Sequence, residues 1–388
     1  MKNSKIQIFD TTLRDGQQAS GANLSISEKL KIAHLLDKLN VDIIEAGFPA
    51  SSKKEFIAVN KISKILKKSK VCSLARHNLK DIDLCLDAMM PSKNKRLHMF
   101  IATSDLHMKY KLNLNKDKVL GLIEHSLKYA RNKIDDIEWS CEDGTRSDPS
   151  FIIQCFKKAV KFGAKTLNIA DTVGYTTPDE ISHLLDKIKK NVPGIEKCNL
   201  SVHCHNDLGL ATSNTIQAIK SGANQVECTI NGIGERAGNA ALEEIVMILN
   251  TRKDLLKKTT QINTKLLKKT SEMVSRLTNF HISKNKPIVG DNAFAHESGI
   301  HQHGVLRNKK TYEIINPKDV GQKGSIINIG AQSGIKGIEF KLKYYKLDTK
   351  KINLKKFVKY FKSKVKNLKI VDKGLLIKLY TDFNKLGK

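Results

Sequence analysis

Proline is scarce in this chain, 7 of 388 residues, and aromatic side chains make up only 6% with a single Trp. That scarcity excludes collagen-like and proline-rich extended polymers; 23 Gly and 40% hydrophobic residues belong to a globular protein with a packed core. Cysteine is limited to seven scattered residues, at 72, 85, 141, 155, 198, 204 and 228, without any C-x-x-C spacing. Neither a disulfide framework nor a structural zinc site is indicated, and a reducing compartment is expected. No stretch approaches the roughly 18 apolar residues of a membrane span, and the opening MKNSKIQIFDTTLRDG lacks the apolar run of a secretory signal. The expectation is a cytoplasmic protein with no membrane partner.

Acidic residues are also few: 39 Asp and Glu stand against 68 Lys and Arg, a formal charge of +29. Such a balance raises nucleic acid as a partner. Only nine of the basic residues are Arg, however, and the Lys fall in short groups (67–70, 187–190, 350–356) without interleaved aromatics. Nucleic-acid readers lean on Arg and on stacking rings, so no specific nucleic-acid partner is expected. The diffuse positive field can still draw in an anionic substrate such as coenzyme A.

What is present is a rhythm. Short β-branched runs alternate with helical periodicity eight times before residue 255, with strands read at 5–10, 41–48, 70–76, 96–104, 135–142, 165–174, 199–207 and 225–234. The helices between them carry stripes such as Ile32, Leu35, Leu36 and Leu39, or Ile181, Leu184, Leu185 and Ile188, each covering one face. Eight βα units in about 250 residues are the size of a closed barrel. An open doubly wound sheet would need a Gly-rich turn after the first strand, and TTLRDG stands there instead. The fold class expected is α/β, a (β/α)8 TIM barrel over 1–255 followed by a smaller, mainly helical C-terminal region over 256–388. Within that region 285–308 reads as a loop rich in His and Gly, and 350–388 as two or three short helices.

In such a barrel the chemistry sits at the C-terminal ends of the strands. The unusual polar residues fall there: Asp10 to Gly16, Glu45, Ser140 with Glu142 and Asp143, Asp171 with Thr172, His203 to Asp207, and Gly234 to Asn239. His203 and His205 are two apart on one strand and project to the same side, which gives one divalent ion two nitrogen ligands or forms a hydrogen-bonded pair. Asp15 completes a two-His, one-carboxylate set, and Asn239 is a neutral oxygen donor of the next rank. Cys204 between the two His should point the other way. Arg14 beside that ion stabilises developing negative oxygen, or pairs with Glu45, or both. Glu142 is a candidate for proton transfer or an exposed loop carboxylate. Thr172 hydrogen-bonds a substrate carboxylate or caps the helix near Pro178.

These residues lie in stretches that resemble the 2-isopropylmalate synthase family, within the metal-dependent TIM-barrel Claisen-condensing enzymes: IFDTTLRDGQQASG (8–21), VDIIEAGFPASS (41–52), SCED (140–143), DTVGY (171–175), SVHCHNDLGLA (201–211), QVECTINGIGERAGNAALEEIVM (225–247) and FAHESGIHQHGVL (294–306). The resemblance implies condensation of acetyl-CoA with the small 2-oxo acid 3-methyl-2-oxobutanoate and water to 2-isopropylmalate and CoA, the first committed step of leucine synthesis. It implies a divalent ion, Mn²⁺ or Mg²⁺, on Asp15, His203, His205 and Asn239, with Arg14 as oxyanion partner. Glu142 and Thr172 fall at substrate-holding positions, and His77, His98 and Ser140 are candidates for the pocket around the oxo-acid side chain. His301, with Tyr312 nearby, falls where the family places the group that deprotonates the acetyl methyl, on a region that reaches the partner subunit in a homodimer. His303 stands where an Asp is usual and Ile335 where a basic residue is usual. The leucine-binding regulatory domain of long family members is expected to be absent. Homocitrate or citramalate synthesis, and a non-catalytic Lys-rich barrel associated with nucleic acid, are the competing readings.

Overall fold

The computed structural model describes residues 4–368 and 371–386. Residues 1–3 of the opening stretch, and 369–370 and 387–388 of the expected helical tail, lie outside the described residues.

Eight parallel strands close into a barrel in chain order: β1 (Gln7–Asp10), β2 (Ile43–Glu45), β3 (Lys70–Arg76), β4 (Lys95–Ala102), β5 (Ile137–Glu142), β6 (Thr166–Asp171), β7 (Asn199–Cys204) and β8 (Gln225–Cys228). β8 pairs back onto β1, with Gln225 opposite Gln7 and Cys228 opposite Asp10. A helix follows each strand: α1 (Ile26–Lys38), α2 (Lys53–Ile65), α3 (Leu79–Ala88), α4 (Lys116–Arg131), α5 (Pro149–Lys161), α6 (Pro178–Asn191), α7 (Ala211–Lys220) and α8 (Leu242–Thr251). The expected (β/α)8 barrel is the fold.

Local sequence sets these boundaries. Ser25 caps α1 in a reciprocal box with Glu28, and Thr177 does the same for α6 with Glu180, Pro178 occupying the first turn. The apolar stripes of α1, α6 and α8 are buried against the barrel wall. The strands end earlier than the alternation predicts. β8 stops at Cys228 because Asn231, at φ 63, turns the chain into a short 3-10 segment, and β7 stops at Cys204. Polar and Gly-rich strand ends bend outward and become the loops of the mouth.

The other end of the barrel is floored by a polar plug. Arg96 donates to Asp136 (2.9 Å), Glu138 (2.9 Å) and Gln225 (2.6 Å), and Gln225 donates to Glu138 (2.7 Å) and Ser201 (3.0 Å). Above it Phe9, Ile43 and Cys72 fill the interior. Six of the seven Cys are buried and all are free.

The first compact unit extends to Ile282, past the boundary expected near 255. The two-residue strand Lys258–Thr259 pairs in parallel with Ser4–Lys5, and α9 (Leu267–Thr278) packs on α1. The second unit begins at Ser283. It holds a parallel pair, Ala295–His296 with Ile326–Ile327, and four helices, α10 (Gly299–Arg307), α11 (Ile335–Tyr344), α12 (Leu354–Val365) and α13 (Lys373–Lys385). Much of the stretch read as a loop over 285–308 is therefore regular structure. The core of this unit gathers Ile338, Leu342, Phe357, Phe361 and Leu376. Among the described residues no helix is long and apolar enough to cross a membrane.

Removing the cation of the plug leaves Glu138 buried without its partner, a cost of about 3–5 kcal/mol for a broken buried pair. Arg96→Ala should lower the urea midpoint accordingly, and an unchanged midpoint would show that water replaces the guanidinium.

Candidate active site and metal centre

Three ligand atoms converge at the mouth. The Oδ2 of Asp15, just after β1, lies 3.1 Å from His203 Nε2 and 3.5 Å from His205 Nε2, and the two imidazole nitrogens are 3.0 Å apart. His203 on β7 and His205, one residue past its end, are two apart in extended chain, which turns both rings to the same side. Cys204 between them faces away, buried in the wall. On β8, which runs between β7 and β1, Glu227 Oε2 accepts the Nδ1 proton of His203 at 2.8 Å and so aims Nε2 at the cluster. Asn239 donates from Nδ2 to Asp15 Oδ2 at 3.0 Å, while its Oδ1 is buried without a partner.

Electrostatics explain what this cluster needs. Burial raises the Asp15 carboxyl, but the Arg14 guanidinium and the two imidazoles outweigh that and hold it well below the usual carboxylate range. Burial lowers His203, yet hydrogen bonds to Asp15 and Glu227 push it up to about 10, whereas burial and the neighbouring His203 charge take His205 down to about 3. Two nitrogens and one carboxylate oxygen, all buried and with an orphaned amide oxygen beside them, fit a divalent ion with positions left for substrate.

Arg14 is fixed through Nε to Glu45 Oε2 at 2.7 Å and lies 3.6 Å from Asp15. Of the two readings of Arg14, the pairing with Glu45 is present, and it leaves the guanidinium beside Asp15. Glu45 also accepts from Thr11 (2.7 Å) and from His98 Nδ1 (2.7 Å), and His98 Nε2 reaches Ser140 Oγ at 2.6 Å. Burial alone raises Glu45, but Arg14, His98 and Thr11 hold it at about 2; His98 in turn is lifted by Glu45 against its own burial. Ser140 Oγ accepts from Asn168 at 2.9 Å as well. A chain of contacts thus runs from the guanidinium down the pocket wall.

The pocket is a cavity of about 260 Å³. Arg14, His203, His205, Thr172, Glu142, Ser140 and His98 line its polar side, and Phe48, Leu74, Phe100 and Ala170 its apolar side. Glu142 is largely enclosed and pairs with Lys111, so it is not a free loop carboxylate. Thr172 Oγ1 accepts the Asp143 N–H at 2.8 Å; it does not cap α6, whose cap is Thr177. His77 requires a correction. Its Nε2 accepts from Trp139 Nε1 at 2.9 Å, and Nδ1 faces Ser126 and the Leu122 carbonyl on α4. Trp139 points outward from β5, so His77 lies in the helix layer behind the wall and does not line the pocket. In the second unit His301 and Tyr312 stack at 4.2 Å, both exposed.

Sequence reasoning missed Glu227, Asn168, Lys111 and Phe48. A carboxylate inside the apolar run QVECTI was the available signal for Glu227; Lys111 carried none among so many lysines. It also missed the clasp of Arg236, at φ 55, which holds Asp207 at 2.7 and 2.8 Å and the Thr172 carbonyl at 2.8 Å, tying three mouth loops together. Gly238 and Gly232 cross so closely there that a Cβ on Gly238 would stand 2.0 Å from the Gly232 carbonyl.

Residues 5–274 match the HMGL-like family, and 288–369 match the homocitrate synthase post-HMGL domain-like family. The chain is 52% identical over 98% of its length to 2-isopropylmalate synthase of Aquifex aeolicus, covering 74% of that protein. It is 51% identical over 87% of its length to the 2-isopropylmalate synthase of Prochlorococcus marinus strain MIT 9215, covering 64% of it, and 50% identical over 86% to that of Rhodopseudomonas palustris strain BisA53, again covering 64%. Among solved structures, hydroxymethylglutaryl-CoA lyase from Pseudomonas aeruginosa superposes with a TM-score of 0.61 at 20% identity, over 72% of this chain and 96% of the lyase. The HMG-CoA lyase of Brucella melitensis gives 0.60 at 18%, over 71% and 99%. The lyases share the fold.

Two measurements test this geometry. His203→Ala should lower the divalent metal retained per chain after dialysis, and retention at the parent stoichiometry would remove His203 from the ligand set. Burial takes His77 down to about 4, below its ordinary value of 6.5. The unfolded chain therefore binds a proton that the folded chain refuses, so stability is full above pH 6.5 and falls as pH drops from there toward 4, by up to about 3 kcal/mol. His77→Gln should flatten that part of the stability profile; a profile unchanged in slope would contradict the assignment.

Proposed function

Because the chain belongs to the 2-isopropylmalate synthase family, we propose that it joins acetyl-CoA to 3-methyl-2-oxobutanoate and, with water, releases 2-isopropylmalate and CoA. The observation that carries the reading is the convergence of Asp15, His203 and His205 on one point beside a fixed guanidinium. Asp15, His203, His205 and Asn239 would hold Mn²⁺ or Mg²⁺. When bound, the ion supplies Lewis acidity and a template for the 2-oxo acid.

The chain's own groups account for the rest. Arg14, immobilised by Glu45, presents positive charge where the enolate and then the alkoxide develop. Thr172 Oγ1 already accepts the Asp143 N–H, which leaves its hydroxyl proton to donate to the substrate carboxylate. Ser140 accepts from Asn168 and shares a hydrogen bond with His98 Nε2, which places its hydroxyl at the pocket wall. Glu142, paired with Lys111, offers a carboxylate at the pocket rim for substrate positioning and proton transfer. His301, exposed and stacked on Tyr312, takes the acetyl methyl proton, with the chain working as a cytoplasmic homodimer.

Homocitrate synthesis is the second reading, favoured by the family that residues 288–369 match. The apolar wall of Phe48, Leu74, Phe100 and Ala170 suits a branched aliphatic side chain better than the second carboxylate of 2-oxoglutarate. Release of free thiol from acetyl-CoA, with Mn²⁺ or Mg²⁺ and 3-methyl-2-oxobutanoate, pyruvate or 2-oxoglutarate, separates these. The highest kcat/KM is expected for 3-methyl-2-oxobutanoate, and a preference for 2-oxoglutarate would overturn the choice. Arg14→Ala should cut turnover by about a hundredfold or more with metal still bound, as loss of an oxyanion partner does; turnover within a few-fold of the parent would exclude its role.

A further inference from the structure

Of the four side chains on the apolar wall of the pocket, Leu74, Phe100 and Ala170 stand on β3, β4 and β6, whose ladders fix them. Phe48 is off the strands, and β3 reaches only the turn before it, where Ala46 N–H donates to the Cys72 carbonyl at 2.9 Å and Leu74 N–H to the Gly47 carbonyl at 3.1 Å. Phe48 lies three residues beyond the end of β2, after the turn Ala46–Gly47. From the helix layer a buried ion pair reaches in to the same turn and to Phe48 itself. Lys29 on α1 has no exposed side-chain surface and places Nζ 2.8 Å from both carboxylate oxygens of Glu55 on α2. The same ammonium meets the Ala46 carbonyl at 3.4 Å, and Glu55 Oε2 accepts the Phe48 N–H at 3.4 Å.

Gly47 between them has φ +157, and a Cβ there would stand 2.4 Å from Glu55 Oε2 and 3.3 Å from Lys29 Nζ. The turn is pressed onto the pair. From the other side the Arg76 guanidinium lies 5.5 Å from the centre of the Phe48 ring, itself held by Asp81 at 2.6 and 3.1 Å.

A dehydrated ammonium and carboxylate are a costly way to fill a helix interface, where apolar residues of similar volume serve at least as well for stability. Their contacts to Ala46 and Phe48 give the pair a different use. We propose that Phe48 is a specificity-determining residue that closes the apolar end of the pocket against longer 2-oxo acids, and that Lys29 and Glu55 are the positioning residues that keep its ring there. The proposal rests on the oxo-acid reading of the pocket given above. A misfit of one methylene in an apolar pocket discriminates about 10- to 200-fold, a range that requires the wall to be held still.

The test compares 3-methyl-2-oxobutanoate with 4-methyl-2-oxopentanoate, one methylene longer, in the parent protein, Phe48→Ala, Lys29→Met and the double variant Lys29→Met/Glu55→Leu. Two readouts are used: kcat/KM by thiol release, and Kd by calorimetry with the divalent ion and no acetyl-CoA. Phe48→Ala should shift both ratios toward the longer acid by about tenfold or more, through KM rather than kcat. Lys29→Met should shift them in the same direction by about threefold or more. Should that variant not fold, as judged by circular dichroism, the double variant removes the unpaired charge and must show the same shift. A merely structural role would lower stability and leave the ratios alone. Ratios unchanged in folded Phe48→Ala would overturn the specificity role, and ratios unchanged in the Lys29 variants would overturn the positioning role. A parent that prefers pyruvate or 2-oxoglutarate overturns the substrate reading alone, because the ratio between the two branched acids still reports on Phe48. In a parent without turnover, the Kd ratio decides.

Discussion

Everything at the mouth of this barrel depends on three donor atoms being forced within 3.0 to 3.5 Å of one another by strands that cannot move apart. Two imidazole nitrogens at that distance either share a proton in a hydrogen bond or turn both lone pairs on one cation. The barrel supplies the enclosure; Asp15 comes from the end of β1, the imidazoles from β7, and β8 between them carries the carboxylate that fixes the tautomer of His203. The backbone geometry gathers a donor set that could hold one cation.

A second constraint radiates from Glu45. It is fully buried, and its two oxygens are shared among Arg14, Thr11 and His98. The Arg14 guanidinium and the His98 imidazole, both lining the pocket, are therefore oriented by one carboxylate. This coupling joins the placement of the guanidinium to the shape of the pocket, and both depend on Glu45 at the end of the short strand β2. Asp143 acts comparably on the opposite rim, gathering Arg146 (2.8 Å), Ser104 (2.5 Å) and, through its N–H, Thr172.

How much of this was readable beforehand follows from the range of each interaction. The alternation of apolar runs is local, so the eight βα units were legible, as were the ligand strand HCH and the placement of Asp15 and Arg14 at a strand end. Strand ends were overestimated because outward bending at residues such as Asn231 depends on the loop packed beyond them. His77 was misplaced for a related reason: at the end of β3 the chain turns, and its ring goes to the helix layer with Trp139 instead of the interior. Phe48, Lys111 and Asn168 were invisible because their importance arises from tertiary neighbours far away in sequence. The extent of the first unit was missed because the pairing of Ser4–Lys5 with Lys258–Thr259 joins segments from opposite ends of the barrel.

The free cysteines carry a consequence of a different kind. Six are sealed among the strands and helices of the barrel, where burial pushes thiols such as Cys85 and Cys141 up to about 12, so at neutral pH they are protonated and out of contact with solvent. In the native protein these sulfurs are chemically silent, and an alkylating dye in the surrounding solution finds them only when the wall opens. The polypeptide thereby contains its own gauge of integrity: the colour it develops with such a dye, beyond the share of the half-buried Cys198, counts the fraction of molecules that have come undone.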